Sequence, residues 1–246
     1  MLRRRDIDRL LNEWEYNPGE VCARLVKAAN GRDVLQLRVE MGLLQMETDH
    51  RPDGQRPGGA NTYFEYLSNL LLAEGDAFEL TPDQCLEVDR EFLQFYHRRI
   101  CWLVLRDFSR AMRDADHSLQ FMDFVRDHSP DEEWTLSHEQ YRPFVMFHRV
   151  LAAALGALES DGPEAAIDEI NTGLDQFRQV FCEYEAEDQF EGDELVARLC
   201  DLRDHLRKHY QVPPTLTERL AEAVSQEKYE LAARLRDELR NRGTRL

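Results

Sequence analysis

Three residues in a predicted helix come closer to a metal site than any others in this sequence. His205 and His209 are four residues apart and Asp201 stands one turn earlier, so all three share one helix face. Zinc accepts imidazole nitrogens and carboxylates at this spacing. The pattern is equally typical of the polar edge of an amphipathic helix, here beside Leu202 and Leu206, and no fourth ligand is apparent. We therefore predict that the chain holds no metal ion.

No sequence motif of enzymatic catalysis is present. The chain lacks a glycine-rich phosphate loop, a G-x-G-x-x-G turn, a G-x-S-x-G elbow and an H-E-x-x-H helix. With 48 acidic residues among 246, pairing any two as general acid and base would be arbitrary. We predict a protein without enzymatic activity and without a cofactor. An enzyme stays an alternative, with its pocket near the loop described next or around His205.

The loop RPDGQRPGG at residues 51–59 is rich in proline and glycine. Two interpretations are open. Such residues are typical of a plain connection between elements. Alternatively, the prolines hold Arg51, Asp53 and Arg56 as a small recognition surface for an acidic or backbone group, because loops often carry function.

Residues 216–240 predict a short antiparallel helical hairpin. Pro213 and Pro214 stop any helix that runs in from upstream, and Thr215 with Glu218 has the spacing of a capping box. In the first helix an apolar face is predicted from Leu216, Leu220, Ala223 and Val224. Two helices of this length are marginal alone in water. The hairpin must therefore pack on its own domain, on a second copy or on a partner protein.

The pattern L-x3-L-x2-A followed by YE-x-AA-x-LRD-x-L resembles the UVR motif of the excision-repair proteins UvrB and UvrC, which also occurs in the protease-associated protein ClpC. In that family the motif is a protein-binding helical hairpin. The resemblance thus implies a protein partner, either another UVR-motif protein or a second copy of this chain. It assigns partner binding to Leu216, Leu220, Ala223, Tyr229, Glu230, Ala232, Ala233, Leu235, Arg236, Asp237 and Leu239.

A second resemblance lies near the N-terminus. The run LQLRVEMGLLQMETDHRPDGQRP is similar to the N-terminal block of a bacterial family that carries a C-terminal UVR motif. That family has no activity to transfer to this chain.

The distribution of charge disfavours nucleic acid as a direct partner. The chain carries a net charge of −17, and residues 216–246 hold seven Arg and Lys against six Asp and Glu, which leaves −18 for the preceding part. Nucleic-acid affinity depends on neutralising phosphates with Lys and Arg, and an acidic body repels them. We therefore do not expect direct nucleic-acid binding.

Cysteine usage and hydropathy predict a cytoplasmic protein. Five cysteines, an odd number and far apart in the chain, are typical of reduced thiols: Cys22, Cys85, Cys101, Cys182 and Cys200. The basic residues 3–5 are not followed by an apolar run, and no window is long and apolar enough to span a bilayer. We expect no membrane association.

The remaining periodicity predicts a mainly α fold with a small N-terminal β-hairpin. A short helix over 6–14 precedes two strands over 21–26 and 35–41, and Gly42 is interpreted as a bulge after which residues 43–46 extend the second strand or enter the loop. Predicted helices then span 61–72, 81–107, 109–127, 141–158, 163–182 and 195–210. We divide the chain into an N-terminal region (1–60), a helical body (61–210) and the UVR hairpin (211–246).

Local signals define the details of this body. Asn61 is predicted to cap the first of these helices, and Thr81 the second. The apolar stripe of the second is predicted from Leu86, Phe92, Tyr96, Ile100, Leu103 and Val104. Residues 129–140 are interpreted as a polar connector, the acidic run 183–194 as a solvated hinge, and the proline pair before the hairpin as a linker that makes it a semi-independent arm.

The helices of the body repeat weakly. A shift of 55 residues places Phe92 on Phe147 and Leu119 on Leu174. Two hairpins stacked in this way are similar to tetratricopeptide-type repeats, whereas a plain antiparallel bundle explains the same alignment. Both architectures offer grooves to peptides or helices.

From these observations we predict a non-enzymatic adaptor or regulatory subunit that docks through its UVR motif and is linked to nucleotide excision repair. A ClpC-type protease complex and a homodimer scaffold are the alternatives. In this hypothesis Arg236 and Asp237 fix the register by ion pairs. The residues that bury against the partner's hairpin are Leu216, Leu220, Tyr229, Ala232, Ala233, Leu235 and Leu239.

Overall fold

The computed structural model describes residues 6–75 and 78–243, so the basic residues 3–5 lie outside it. The chain forms two compact units, residues 1–149 and 150–246. The first contains α1 (Asp8–Glu13), β1 (Cys22–Lys27), β2 (Asp33–Val39), β3 (Gly42–Glu47), α2 (Tyr63–Glu74), α3 (Pro82–Val104), α4 (Phe108–His128) and α5 (Glu132–Glu139). The helix α6 (Arg142–Ser160) crosses the boundary. The second contains α7 (Pro163–Glu183), a 3-10 helix (Glu187–Gly192), α8 (Glu194–Tyr210), α9 (Leu216–Ser225) and α10 (Tyr229–Gly243).

The predicted fold class is confirmed: the protein is mainly helical, with a small antiparallel sheet near its N-terminus and a helical hairpin near its C-terminus. Within the described ranges, no helix is both long and apolar enough to cross a membrane.

The sheet has three strands in the order β1-β2-β3, not the two that the sequence predicts. Val39 pairs with Gly42 across a two-residue turn, so Gly42 begins β3 and does not form a bulge. Leu44 then lies opposite Leu37, and β2 becomes the central strand, buried over residues 34–38. The turn residues are glutamate and methionine, not the Asn-Gly pair that signals such hairpins. This is why the sequence pattern concealed the third strand.

The N-cap of α2 lies one residue later than predicted. Thr62 is its N-cap, because the Thr62 hydroxyl accepts a hydrogen bond from the Glu65 backbone N–H at 3.1 Å. The predicted cap, Asn61, instead donates its backbone N–H to the Glu65 carboxylate at 2.8 Å. From α3, Glu91 accepts hydrogen bonds from the first two helical N–H groups of α2, at 2.6 and 3.1 Å. A carboxylate far along the chain therefore satisfies the start of this helix.

α3 begins where the sequence predicts, behind a capping box, but its buried face is different. Leu86 and Val104 of the predicted apolar stripe are 64% and 50% exposed. Glu91, Arg98 and Arg99 are buried instead, each at 2% exposure or less. Charged residues are almost never fully buried unless they are paired. A pattern that counts only apolar residues misses such a face.

Arg98 joins three parts of the N-terminal unit. Its Nε and Nη2 atoms donate to the two carboxylate oxygens of Asp114 on α4, at 2.7 and 2.8 Å. Its Nη1 atom donates to the carbonyl oxygens of Glu47 and His50, at 3.1 and 2.7 Å, at the end of β3. Bidentate charge-assisted pairs of this kind are strong and geometrically specific. Arg98 therefore fixes α3, α4 and the end of the sheet together.

The segments predicted as a polar connector and as a solvated hinge both contain helix. Residues 129–140 hold α5, whose N-cap Asp131 accepts hydrogen bonds from two backbone N–H groups at 3.2 Å. The acidic run 183–194 holds the 3-10 helix, in which Phe190 is buried against Phe181, with 5.7 Å between ring centroids. A cap or a single aromatic anchor specifies each short helix, and neither is visible in composition.

In the C-terminal unit, α7 approaches α6 closely at Gly173. A Cβ atom at this position would lie 2.3 Å from a methyl group of Val150, so a larger residue would force the helices apart. The 55-residue shift seen in the sequence recurs in the helix bounds, because advancing α4 by this shift gives 163–183, the bounds of α7. The repeat and bundle interpretations both fit this agreement.

Replacing Arg98 by methionine should lower the free energy of unfolding by about 3–5 kcal/mol, because the Asp114 carboxylate is then buried without its cation. Arg90→Met is the matched control. Arg90 lies on the same helix in an exposed ion pair with Glu87, and we expect its loss to cost less than about 1 kcal/mol. Urea unfolding followed by circular dichroism measures both variants. Equal unfolding midpoints would contradict the role of Arg98.

Candidate protein-docking site

The C-terminal hairpin forms as the sequence predicts, with α9 and α10 antiparallel and Thr215 and Glu218 in a capping box. Its apolar seam is closed within the hairpin. The buried members of the seam are Leu216, Ala223, Ala232 and Leu235, against which Leu220, Leu231 and Leu239 pack partly buried. Small residues at the contact allow two helix backbones to approach closely.

Polar side chains attach the hairpin to the two preceding helices. Thr215, 1% exposed, donates its hydroxyl to Asp168 on α7 at 2.6 Å. The Glu218 carboxylate accepts hydrogen bonds from Asn171 on α7, at 3.0 Å, and from Arg207 on α8. The prediction of a semi-independent arm is therefore corrected. Pro213 and Pro214 directly precede the start of α9, which is anchored to α7 and α8.

The two acidic residues of this anchor differ in protonation behaviour. Burial raises the pKa of the Asp168 carboxyl, and the hydrogen bond from Thr215 offsets only part of this rise. Burial alone would also raise the pKa of Glu218, but hydrogen bonds from Arg207, the Thr215 backbone and Asn171 outweigh it, so that pKa is lowered. Glu218 is thus held as a carboxylate, the form that Arg207 binds best.

The closed seam changes which residues can meet a partner. Leu216, Ala232 and Leu235 already fill the seam, so the hypothesis that they bury against a partner's hairpin is corrected. Val224, predicted on the same apolar face, is 53% exposed instead. Tyr229 is 68% exposed. Of the other assigned residues, the exposed ones are Glu230, Arg236 and Asp237, and the half-buried ones are Leu220, Ala233 and Leu239.

In the proline- and glycine-rich loop, the side chains of Arg51 and Asp53 contact α3. Arg51 is 3% exposed and donates to the Glu87 carboxylate at 2.7 Å, so its interpretation as a surface recognition residue is corrected. Asp53 accepts a hydrogen bond from Gln94 on α3 at 2.9 Å. Arg56 is exposed and donates to the Asn61 side chain. Recognition of an acidic or backbone group by the loop stays a prediction for Asp53 and Arg56.

His205 and His209 lie side by side on α8, with 5.9 Å between ring centroids. Among the residues that the structure describes, no group of three His, Cys, Asp or Glu side chains is arranged to hold a metal ion. The histidine pair is therefore described as part of the polar surface of α8.

A serine, a histidine and an aspartate that no sequence spacing signalled meet in the N-terminal unit. His138 Nε2 lies 2.9 Å from an Asp89 carboxylate oxygen, and His138 Nδ1 lies 3.3 Å from the Ser137 hydroxyl. Nδ1 also lies 3.0 Å from the Trp134 carbonyl oxygen, to which Ser137 donates at 2.6 Å. Both ring nitrogens thus face acceptors, which leaves no nitrogen free to take the serine proton. The arrangement does not support a nucleophilic serine.

Residues 214–241 match the sequence model of a family described as the UvrB/uvrC motif. The match includes α9 and most of α10, and it confirms the resemblance drawn from the tyrosine, alanine and arginine pattern of the hairpin. No curated protein and no solved structure matches the chain.

Replacing Glu218 by glutamine should destabilise the C-terminal unit at pH 7 by about 1–2 kcal/mol, because a neutral amide binds Arg207 more weakly than a carboxylate does. Glu222→Gln is the matched control, since Glu222 is an exposed glutamate of the same helix. Thermal unfolding of both variants and the wild type measures the difference.

The pH dependence of this difference follows from the lowered pKa of Glu218. A carboxyl group whose pKa is lower in the folded state stabilises the fold above its unfolded pKa, about 4.3 for glutamate. That stabilisation is lost as the pH falls through the lower folded value. The difference between wild type and Glu218→Gln should be full at pH 7 and shrink towards pH 3. A difference independent of pH would contradict the ionic anchor.

Proposed function

We propose that this protein is a non-enzymatic adaptor or regulatory subunit that binds a protein partner through the exposed side of its α9–α10 hairpin. The observation that carries the proposal is the match of residues 214–241 to the UvrB/uvrC motif. Supporting it, the seam of the hairpin is closed and the first turn of α9 is anchored to α7 and α8. The hairpin therefore needs no partner to fold, and its exposed motif residues are free to serve recognition.

The exposed residues have the chemistry of a protein interface. Tyr229 offers a large ring with a polar end, and tyrosine and arginine are the residue types that often dominate binding energy. Arg236 and Asp237 lie 3.3 Å apart, both at least 64% exposed. Such a surface pair contributes little to folding. The pair can therefore break at small cost, and each side chain can then form an ion pair with a second protein.

The partner class follows from the resemblance of the hairpin to the UVR motif. A second UVR-type hairpin in an excision-repair protein such as UvrB or UvrC is the first candidate, and a ClpC-type protease complex is the second. The charge of −17 disfavours a direct contact with nucleic acid. A homodimer through the same surface is the structural alternative, since two-fold interfaces use one patch twice.

Substituting Tyr229→Ser together with Arg236→Glu should weaken partner binding at least about tenfold, because it removes the ring and reverses the charge without touching the closed seam. Tyr210→Ser with Arg198→Glu is the matched control, because both residues are exposed on α8 in the same unit. Biosensor titrations of the tagged full chain against purified UvrB, UvrC and ClpC measure the affinities.

Equal affinity of both double variants for the partner would show that the exposed hairpin surface does not bind it. Binding to none of the three proteins, together with a dimer by light scattering that only Tyr229→Ser with Arg236→Glu dissociates, would favour the homodimer. Binding to UvrB or UvrC but not to ClpC would favour a role in excision repair.

A further inference from the structure

A groove in the N-terminal unit lies along one face of α3. Its residues on this helix, Asp89, Phe92, Leu93, Tyr96 and Arg99, recur every three or four positions. At 1.5 Å per residue this stripe is about 15 Å long. The volume of the groove is about 750 Å³, which falls within the range of about 300–1,000 Å³ that is typical of sites for small molecules.

The two ends of the groove have opposite charge and its middle is apolar. Asp89 lies at one end with His138, and Arg99 lies at the other with Ser118. Between them the walls are aromatic and aliphatic side chains that include Phe92, Tyr96, Met122, Phe144 and Val145. Asp89 already accepts a hydrogen bond from Trp134 Nε1 at 3.0 Å and lies 2.9 Å from His138 Nε2. The Arg99 end is therefore the one that can bind a polar group of an otherwise apolar occupant.

Among the described residues, Arg99 forms no ion pair with a carboxylate. It is 2% exposed, and its guanidinium donates to the Ser118 hydroxyl at 3.0 Å and to His148 Nδ1 at 3.3 Å. Within residues 6–75 and 78–243, none places a carboxylate within ion-pair distance of it. The two carboxylate oxygens of the nearby Asp114 already accept hydrogen bonds from Nε and Nη2 of Arg98. Neutral partners satisfy part of the Arg99 donor set but do not compensate its charge.

The neighbouring histidine does not change this balance. Burial, together with the positive charge of Arg99, lowers the pKa of His148 to about 4, so His148 is neutral at pH 7. Burial lowers the pKa of Arg99 to about 10, although the negative charge of Asp114 offsets part of this, so the guanidinium stays protonated at pH 7. The end of the groove thus carries a buried positive charge that no described carboxylate contacts.

We propose that the groove binds a small amphipathic monocarboxylic acid, with its carboxylate on Arg99 and its apolar chain or ring along the Phe92 and Tyr96 side of the groove. A guanidinium matches a carboxylate in a planar, bidentate geometry. One carboxylate balances one cation, whereas a doubly charged phosphate would leave a negative charge without compensation among apolar walls. Asp89 at the far end disfavours a second carboxylate on the ligand.

Titration of the full-length protein with decanoate, decanol and decanedioate tests this assignment. Isothermal calorimetry below the micellar concentration measures each affinity. We expect decanoate to bind at least about tenfold more tightly than decanol, because only the acid forms charge-assisted hydrogen bonds with Arg99. Decanedioate should bind more weakly than decanoate. Equal affinity for decanoate and decanol, or no binding of decanoate, would overturn the proposal.

Two variants locate the site. Arg99→Met should abolish the preference for decanoate over decanol while decanol still binds. Leu93→Glu places a carboxylate on the groove wall at a residue that is 56% exposed, and it should weaken decanoate binding at least about tenfold through like-charge repulsion and desolvation. Leu86→Glu is its matched control, because Leu86 is 64% exposed on the same helix but does not line the groove.

If Arg99→Met does not fold, Leu93→Glu and Leu86→Glu still test the proposal, because both positions are exposed. Both leucine variants should retain the circular dichroism spectrum of the wild type. Decanoate binding that is unchanged in Leu93→Glu, or lost equally in Leu86→Glu, would show that the acid binds elsewhere. The outcome is independent of the docking function of the C-terminal hairpin.

Discussion

The buried ion pair between Arg98 and Asp114 is the interaction on which the N-terminal unit depends. Removing a guanidinium from water costs several kcal/mol, which only complete pairing offsets. Here the bidentate carboxylate provides part of that pairing, and the carbonyl groups of Glu47 and His50 provide the rest. Because these acceptors come from α4 and from the end of β3, one side chain fixes the sheet and two helices together. This unit is organised around a charge as much as around an apolar core.

The sequence predicted helix starts well where their signals are local. The capping boxes at Thr81 and Thr215 involve residues three positions apart, and both are present in the structure. The buried face of α3 has no local signal, because Glu91 is satisfied by backbone groups of α2 and Arg98 by distant acceptors. The third strand was missed for a related reason, since its turn lacks the glycine or asparagine on which hairpin prediction rests.

The candidate docking site shows the same difference between local signals and contacts of residues far apart in the chain. The sequence identified the hairpin, its cap and its narrow seam, which all arise within some thirty residues. The exposed side of the hairpin depends on how its two helices pack. The packing of α9 against α10 buries Ala232 and Leu235 and leaves Tyr229 exposed. The anchor to Asp168 and Asn171 joins residues almost fifty positions apart, and no spacing rule relates them. Motif matching therefore located the module but not which of its residues are exposed.

Arg98 and Arg99 are neighbours in sequence, yet within the part of the chain that the structure describes only Arg98 forms an ion pair. Successive residues on a helix point about 100° apart, so Arg98 faces Asp114 while Arg99 faces the groove. The chain contains 48 acidic residues, so carboxylates are abundant as possible partners for a buried cation. Beside Arg99 it places a serine and the neutral His148, although an uncompensated buried charge is costly. A carboxylate supplied by a ligand removes that cost, and the apolar part of the same ligand packs against the apolar walls that lead away from Arg99.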